Sequence, residues 1–236
     1  MPVKSSERKI QERHRRDQLI LRVARSLLAE QGVEGLSMQA IANSTEYSKG
    51  TIYQHYHCKE DVISKLVSLS GKKLVAMIDE ALKQGQSLRH KIMLISAVFF
   101  MNARQQPEIS SLVSMVKSPQ FQSKISDENK ALIAELDHAI LSRIMNLFVE
   151  DTGFNCQQVK DAAFGWWSMK WGVQNVLLND WETEKLGFNE PLEFFFRSLN
   201  VFLNGFGVAD DENCQSWPQI QAQGQGIVSQ FVTVTK

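Results

Sequence analysis

The 236-residue sequence predicts an all-α protein, with an N-terminal three-helix unit followed by a larger helical bundle. Three observations predict it. Apolar residues recur at helical spacing from Leu19 to Leu203. No convincing strand pattern precedes the last ten residues. Gly, Ser and Pro punctuate the chain where helices of ordinary length should start or stop.

The elements follow in order. Leu19, Ile20, Val23, Ala24, Leu27 and Leu28 make one apolar helix face, and Gly32 supplies a left-handed stop. Ser37 can cap a short second helix that turns Met38, Ile41 and Ala42 inward. Ser48 can cap a third, with Ile52 and Tyr56 inward. A longer helix starts near Lys59, with Glu60 and Asp61 suited to its N-terminal dipole, and runs to about Gln84. Further helices are expected at Ser87–Gln106, Glu108–Lys117, Gln120–Glu150, Gln157–Trp181 and Pro191–Asn204. Pro107, Ser118-Pro119 and Gly153 separate them. From Gly205 the chain is rich in Gly, Gln and Asp and reads as a loose tail, with Ile227–Val234 as a short strand in the other reading. The expected divisions are 14–74, 75–206 and a flexible tail at 207–236.

Formal net charge is zero, but it is unevenly spread. The first 60 residues hold 10 basic and 7 acidic side chains, and the remainder 16 and 19. Lys4, Arg8, Lys9, Arg13, Arg15 and Arg16 crowd the start, which suits phosphates and equally suits a solvated tail. Cys58, Cys156 and Cys214 are scattered and form no CxxC pair, so neither a disulfide framework nor a zinc site is indicated. No signal peptide is recognisable, and the longest apolar run, Ile92–Met101, is too short to span a bilayer. A cytoplasmic protein with no membrane partner is expected.

Enzymatic chemistry is not expected. The sequence has no Gly-rich phosphate loop, nucleophile elbow or zinc-binding pair. His55-x-His57 has a metal-like spacing, but only lone Cys58 stands beside it, so no metal and no cofactor are expected. His90 and His138 read as polar-face or satisfied core residues.

The segment Gly35–Tyr56 supplies the parts of a helix-turn-helix. With Ile52 and Tyr56 facing inward, Gly50 and Gln54 point outward, Thr51 and Tyr53 flank them, and Lys49 and His55 lie nearer the edges. Gly50 lets a partner approach the backbone. Thr51, Tyr53, Gln54 and His55 offer hydrogen bonds to phosphates or base edges, while Lys49 and Lys59 add charge. The same pattern fits a plain three-helix packing unit with a polar face.

The stretch from Ile20 to Val67 resembles the N-terminal domain of the TetR family of transcriptional regulators. The resemblance rests on Ala24, Leu28 and Glu30-Gln31-Gly32; on Ser37-Met38 with Ile41-Ala42; on Ser48-Lys49-Gly50-Thr51-Ile52-Tyr53; and on Lys59-Glu60-Asp61. It implies double-stranded DNA as partner and a motif at 37–56. Ser37 and Gln39 should touch a phosphate or base edge. Lys49, Gly50 and Thr51 should enter the major groove, Tyr53 and His55 should meet phosphates, and Lys59 should add a contact. Two positions depart from the family pattern. The turn, normally Ala-Gly-Val, is Thr45-Glu46-Tyr47, and Tyr56 replaces the usual Phe. A left-handed Glu46 would cost on the order of 1 kcal/mol. The Tyr56 hydroxyl must find a partner or solvent.

In the C-terminal part, Phe164, Trp167, Trp171 and Leu178 form one stripe of a helix apolar almost all round, with small residues on a second stripe. The last helix repeats the theme with Leu192, Phe195, Phe196, Leu199, Phe202 and Leu203. A four-helix homodimer interface is expected from these two helices, as the resemblance also implies. A hydrophobic small-molecule effector is a further expectation, with Met93, Ala97, Phe100, Met101, Met115, Phe148, Trp167 and Trp171 as candidate lining. A ligand-responsive repressor is therefore the leading expectation. The other is a DNA-binding structural or chromosome-organising protein with no effector.

Overall fold

Apolar spacing and capping side chains account for most helices of the computed structural model, which describes residues 5–178, 185, 187, 190–209 and 215–232. Twelve α-helices and no strand occur among the described residues. They are α1 (Ser5–Gly35), α2 (Met38–Thr45), α3 (Lys49–Tyr53), α4 (Lys59–Gln84), α5 (Leu88–Gln105) and α6 (Pro107–Ser110). Then come α7 (Leu112–Val116), α8 (Pro119–Gln122), α9 (Asp127–Thr152), α10 (Cys156–Leu178), α11 (Pro191–Gly205) and α12 (Trp217–Phe231). Two compact units result. One comprises the chain up to Ser70 with Glu108–Ala134; the other comprises Gly71–Pro107 with the chain from Glu135 onward.

The first unit is built around the apolar face of α1. Ile20, Ala24 and Leu28 are buried with Leu36, Ile41, Ile52 and Ile63. Gly32 takes φ 67°, which breaks the regular helix where the sequence places a stop. From Ser5 onward the basic N-terminal stretch is helical. Asp61, buried in the first turn of α4, accepts from the Ser126 N–H at 3.1 Å and from the Asn129 amide at 2.9 Å. That contact anchors the start of α9. It also explains why the expected helix from Gln120 is interrupted, with α9 beginning only at Asp127.

The second unit centres on α5. Every residue from Leu88 to Ala103 except Lys91 is buried, because α10, α11 and α12 all pack on this helix. Trp166, with no exposure, donates its indole N–H to Ser96 Oγ at 2.9 Å. Arg89, 1% exposed, reaches the end of α11. Its guanidinium donates to Asn200 Oδ1 at 2.9 Å, Asn204 Oδ1, and the Val208 and Ala209 carbonyls at 2.6 and 3.1 Å.

The expectation of a loose tail at 207–236 is corrected. Ser216 precedes a helix whose Ile220, Gly224, Ile227 and Val228 are buried against α5. A Cβ at Gly224 would stand 2.8 Å from Ala97 Cβ, so glycine is what permits the close approach. Gln219 Oε1 accepts from the Ser216 N–H at 2.8 Å, and Trp217 stacks on Phe196 at 4.0 Å. The alternative strand is likewise replaced by helix through Phe231, while 233–236 and 210–214 lie outside the described residues.

The expected stripes of α10 and α11 also shift. Leu192, Phe195, Phe196, Leu199 and Leu203 are spent inside the chain's own core. The exposed large apolar residues of α10 and α11 are Phe164 and Val201, each 72% exposed, and Phe194. Gly165 lies under the Phe202 ring, where a Cβ would be 2.6 Å away, so α10 and α11 meet closely there. Trp181 lies outside the described residues.

Candidate nucleic-acid interface

The turn between α2 and α3 is fixed by two serine caps. Ser37 Oγ accepts from the Ala40 N–H at 3.0 Å, and Ser48 Oγ accepts from the Thr51 N–H at 3.1 Å. Between them Glu46 adopts φ 57°, ψ 21°, the one non-glycine residue with positive φ among those described. The departure from glycine thus leaves the turn in its left-handed form and puts the strain on the glutamate. Glu46→Gly is expected to raise thermal stability by up to about 1 kcal/mol, less the extra entropy glycine brings to the unfolded chain. A melting curve shifted downward would show that the turn relies on the glutamate side chain.

Tyr56 resolves the second departure. Its ring is buried and its hydroxyl donates to Asp17 Oδ1 on α1 at 2.6 Å. Burial first, and then the hydrogen bond to Asp17, holds its ionisation well above the usual tyrosine range. The same carboxylate faces His55 Nδ1 at 3.7 Å, where the imidazole side chain is only 7% exposed. His55 therefore turns toward α1 instead of standing at the edge of the outward face. The reason is local: α3 ends at Tyr53, and the two residues after it turn the chain back to the core.

Most of the other sequence-predicted residues are exposed. Ser37, Gln39, Lys49, Gly50, Tyr53 and Gln54 are exposed, and Thr51 is half-buried. Gln39 donates to Asn43 Oδ1 at 2.7 Å, and Thr51 Oγ1 stands 2.9 Å from Ser48 Oγ, so both polar groups are pre-oriented. Lys59 is half-buried at the start of α4 and donates to the Val33 carbonyl at 3.4 Å, which ties it to the end of α1. Gly50 is different in kind. Its φ is not left-handed, and a Cβ there would meet only Ser48 Oγ at an ordinary 3.7 Å. Nothing inside the protein requires glycine at this exposed helical position, where it weakens the helix.

Residues 20–66 match the family model described as bacterial regulatory proteins, tetR family. The N-terminal domain is a TetR-family domain. The fold outside it agrees with solved TetR-like structures. A bacterial regulatory protein of the tetR family from Rhodococcus RHA1 shares 18% identity and a TM-score of 0.59, over 82% of this chain and 98% of that one. The transcriptional regulator FadR from Bacillus subtilis, solved in complex with stearoyl-CoA, shares 17% identity and a TM-score of 0.58, over 81% and 97%. The TetR-family transcriptional regulator PfmR from Thermus thermophilus shares 21% identity and a TM-score of 0.59, over 78% and 97%. No curated protein matches the chain in sequence. Within the TetR-family domain, the side chains that the resemblance assigns to the core, Met38, Ile41, Ala42 and Ile52, are all buried.

The candidate effector residues do not form one group. Met115 packs against the core of the first unit. Met93, Ala97, Phe100, Met101 and Phe148 are buried in the second, with Ala97 pressed by α12 at Gly224 and Phe100 edge-on to Phe195 at 4.9 Å. Trp167 and Trp171 are only partly buried and stack at 6.2 Å, with the buried Lys170 ammonium 4.4 and 5.0 Å from their rings. Trp166, Lys170 and Arg89 carry no signal in the sequence that marks them out. A residue one position off an assumed helix stripe gives no signal of its own, and a buried cation is legible only once its partners are placed. Among the described residues, no group of three or more His, Cys, Asp or Glu side chains could hold a metal, and no helix is long and apolar enough to cross a membrane.

Proposed function

We propose that this protein is a cytoplasmic DNA-binding transcriptional regulator that docks α3 in the major groove of duplex DNA. Gly50 carries the reading: an exposed helical glycine with no internal reason is explained by a partner that meets the backbone there. Lys49 and Thr51 flank that approach, Ser37, Gln39 and Gln54 stand beside it, and Tyr53, 46% exposed, reaches toward phosphate. Lys59 and His55 support the surface from behind by holding α1 against α3 and α4.

The outward face of α10 and α11, with Phe164 and Val201, supports a homodimer. A two-fold dimer presents two copies of α3 to a pseudo-palindromic operator, and occupancy of that operator represses transcription. A hydrophobic effector suits the Trp167–Trp171 stack, a partly exposed part of the aromatic cluster. FadR from Bacillus subtilis, with its stearoyl-CoA, illustrates the kind of molecule such a fold can accept.

Gly50→Ala separates this reading from a plain packing unit. The variant is expected to be more stable by about 0.5–1 kcal/mol. It is also expected to bind DNA at least about tenfold more weakly, a loss of about 1.4 kcal/mol. Melting curves and gel shifts on the same preparations read both. A stabilised variant that binds as tightly as the parent would remove α3 from the groove.

A further inference from the structure

The N-terminal part of α1 extends beyond the three-helix core. From Glu7 on, the first buried residue of the helix is Ile20, and Glu7–Arg15 are all exposed. At 1.5 Å per residue, the stretch from Ser5 to Ile20 covers about 22 Å. Its side chains are not evenly mixed. Arg8, Lys9, Arg13 and Arg16 line a cleft of about 510 Å³ together with Gln54 and His55, the two residues that follow α3. Glu12 also lines the cleft, but its carboxylate is taken by Arg16 Nε at 3.1 Å. Arg8, Lys9 and Arg13 thus present cationic heads on the side of α1 that runs up to the end of α3.

We propose that this extension is a second DNA-contacting element, in which Arg8, Lys9 and Arg13 bind the sugar-phosphate backbone flanking the groove that α3 occupies. The inference rests on the docking of α3 in the major groove and deepens it. Two observations carry it: the cleft is continuous with Gln54 on the proposed DNA surface, and its charge is complementary to phosphate. The cleft also gives physical work to a helical segment that buries nothing in its own core. A helix that brings several guanidinium and ammonium groups to one edge neutralises successive phosphates without reading bases. The extension therefore lengthens the footprint and tightens binding without changing sequence preference.

The test uses the full chain and a duplex that it selects from random DNA. Arg8→Gln, Lys9→Gln and Arg13→Gln are combined, because glutamine preserves helix propensity and all three sites are exposed. Circular dichroism and the melting temperature should match those of the parent. The slope of log K against log salt should fall in magnitude by about 0.9 for each phosphate that is no longer neutralised, in each half-site. Hydroxyl-radical protection should shrink at the outer edges of the site, and the selected sequence should stay the same. A triple variant with the parental salt slope and footprint would overturn the proposal while leaving α3 docking intact. A change in selected sequence would overturn it too, by making the extension a base reader. If the parent itself retains no duplex, the α3 reading fails and this proposal fails with it.

Discussion

Replacing Arg89 with methionine is expected to be the most damaging single change in the second unit. Arg89 is 1% exposed, and its fork ties α5 to the C-terminal turn of α11 through Asn200, Asn204 and the Val208 and Ala209 carbonyls. Methionine keeps most of the side-chain volume and removes every donor. The Val208 carbonyl, whose bond is buried, costs about 1–3 kcal/mol when left without a partner, and the part-buried charge-assisted bonds to Asn200, Asn204 and Ala209 bring the total to about 3–5 kcal/mol. For a chain of this size, that lowers the melting temperature by on the order of 10 °C. Arg89→Lys should recover only part, because an ammonium cannot match the fork. Scanning calorimetry of the two variants checks the order. A methionine variant melting within about 2 °C of the parent would show that the end of α11 is held by apolar packing alone.

The second large effect concerns assembly. Phe164 and Val201 are each 72% exposed in the single chain, while their neighbours Ala163, Trp166, Leu199 and Leu203 are buried. Phe164→Glu combined with Val201→Glu places two carboxylates on a surface proposed to face its own copy. Desolvating them and opposing like charges across a two-fold axis is unfavourable. Light scattering is expected to show a dimer for the parent and a monomer for the double variant, with helix content unchanged. Loss of the second DNA-reading head then weakens operator binding by about 10²–10⁴-fold, because the second binding event is no longer intramolecular. A double variant that stays dimeric would move the interface elsewhere.

The first unit is the more legible in sequence, for identifiable reasons. Its helix starts depend on Ser37 and Ser48, whose side chains cap the backbone three residues on, so local chemistry alone places them. Glu46 is legible as a strained position because the turn geometry dictates φ whatever residue occupies it. His55 escapes a helical wheel because α3 ends at Tyr53, and the wheel has no meaning beyond it. In the second unit the decisive contacts are long-range. The glycines of α12 read as a tail, since glycine weakens an isolated helix; only the presence of Ala97 opposite Gly224 turns that weakness into a fit. Trp166 lies one residue from the stripe of Trp167 and Trp171, and its partner Ser96 sits 70 residues away. No periodicity in α10 alone distinguishes the three tryptophans. Phe164 likewise belongs to the apolar stripe in sequence, but only the packed structure shows that it faces outward.

Two copies of α3 are proposed to read duplex DNA together. Selection of bound fragments from a random duplex library, followed by sequencing, tests it most directly. The expected result is enrichment of an inverted repeat whose half-site centres lie about one helical turn, 34–36 Å, or a whole multiple of it apart. Recovery of no preferred sequence, or of a single half-site with no repeat, would contradict it.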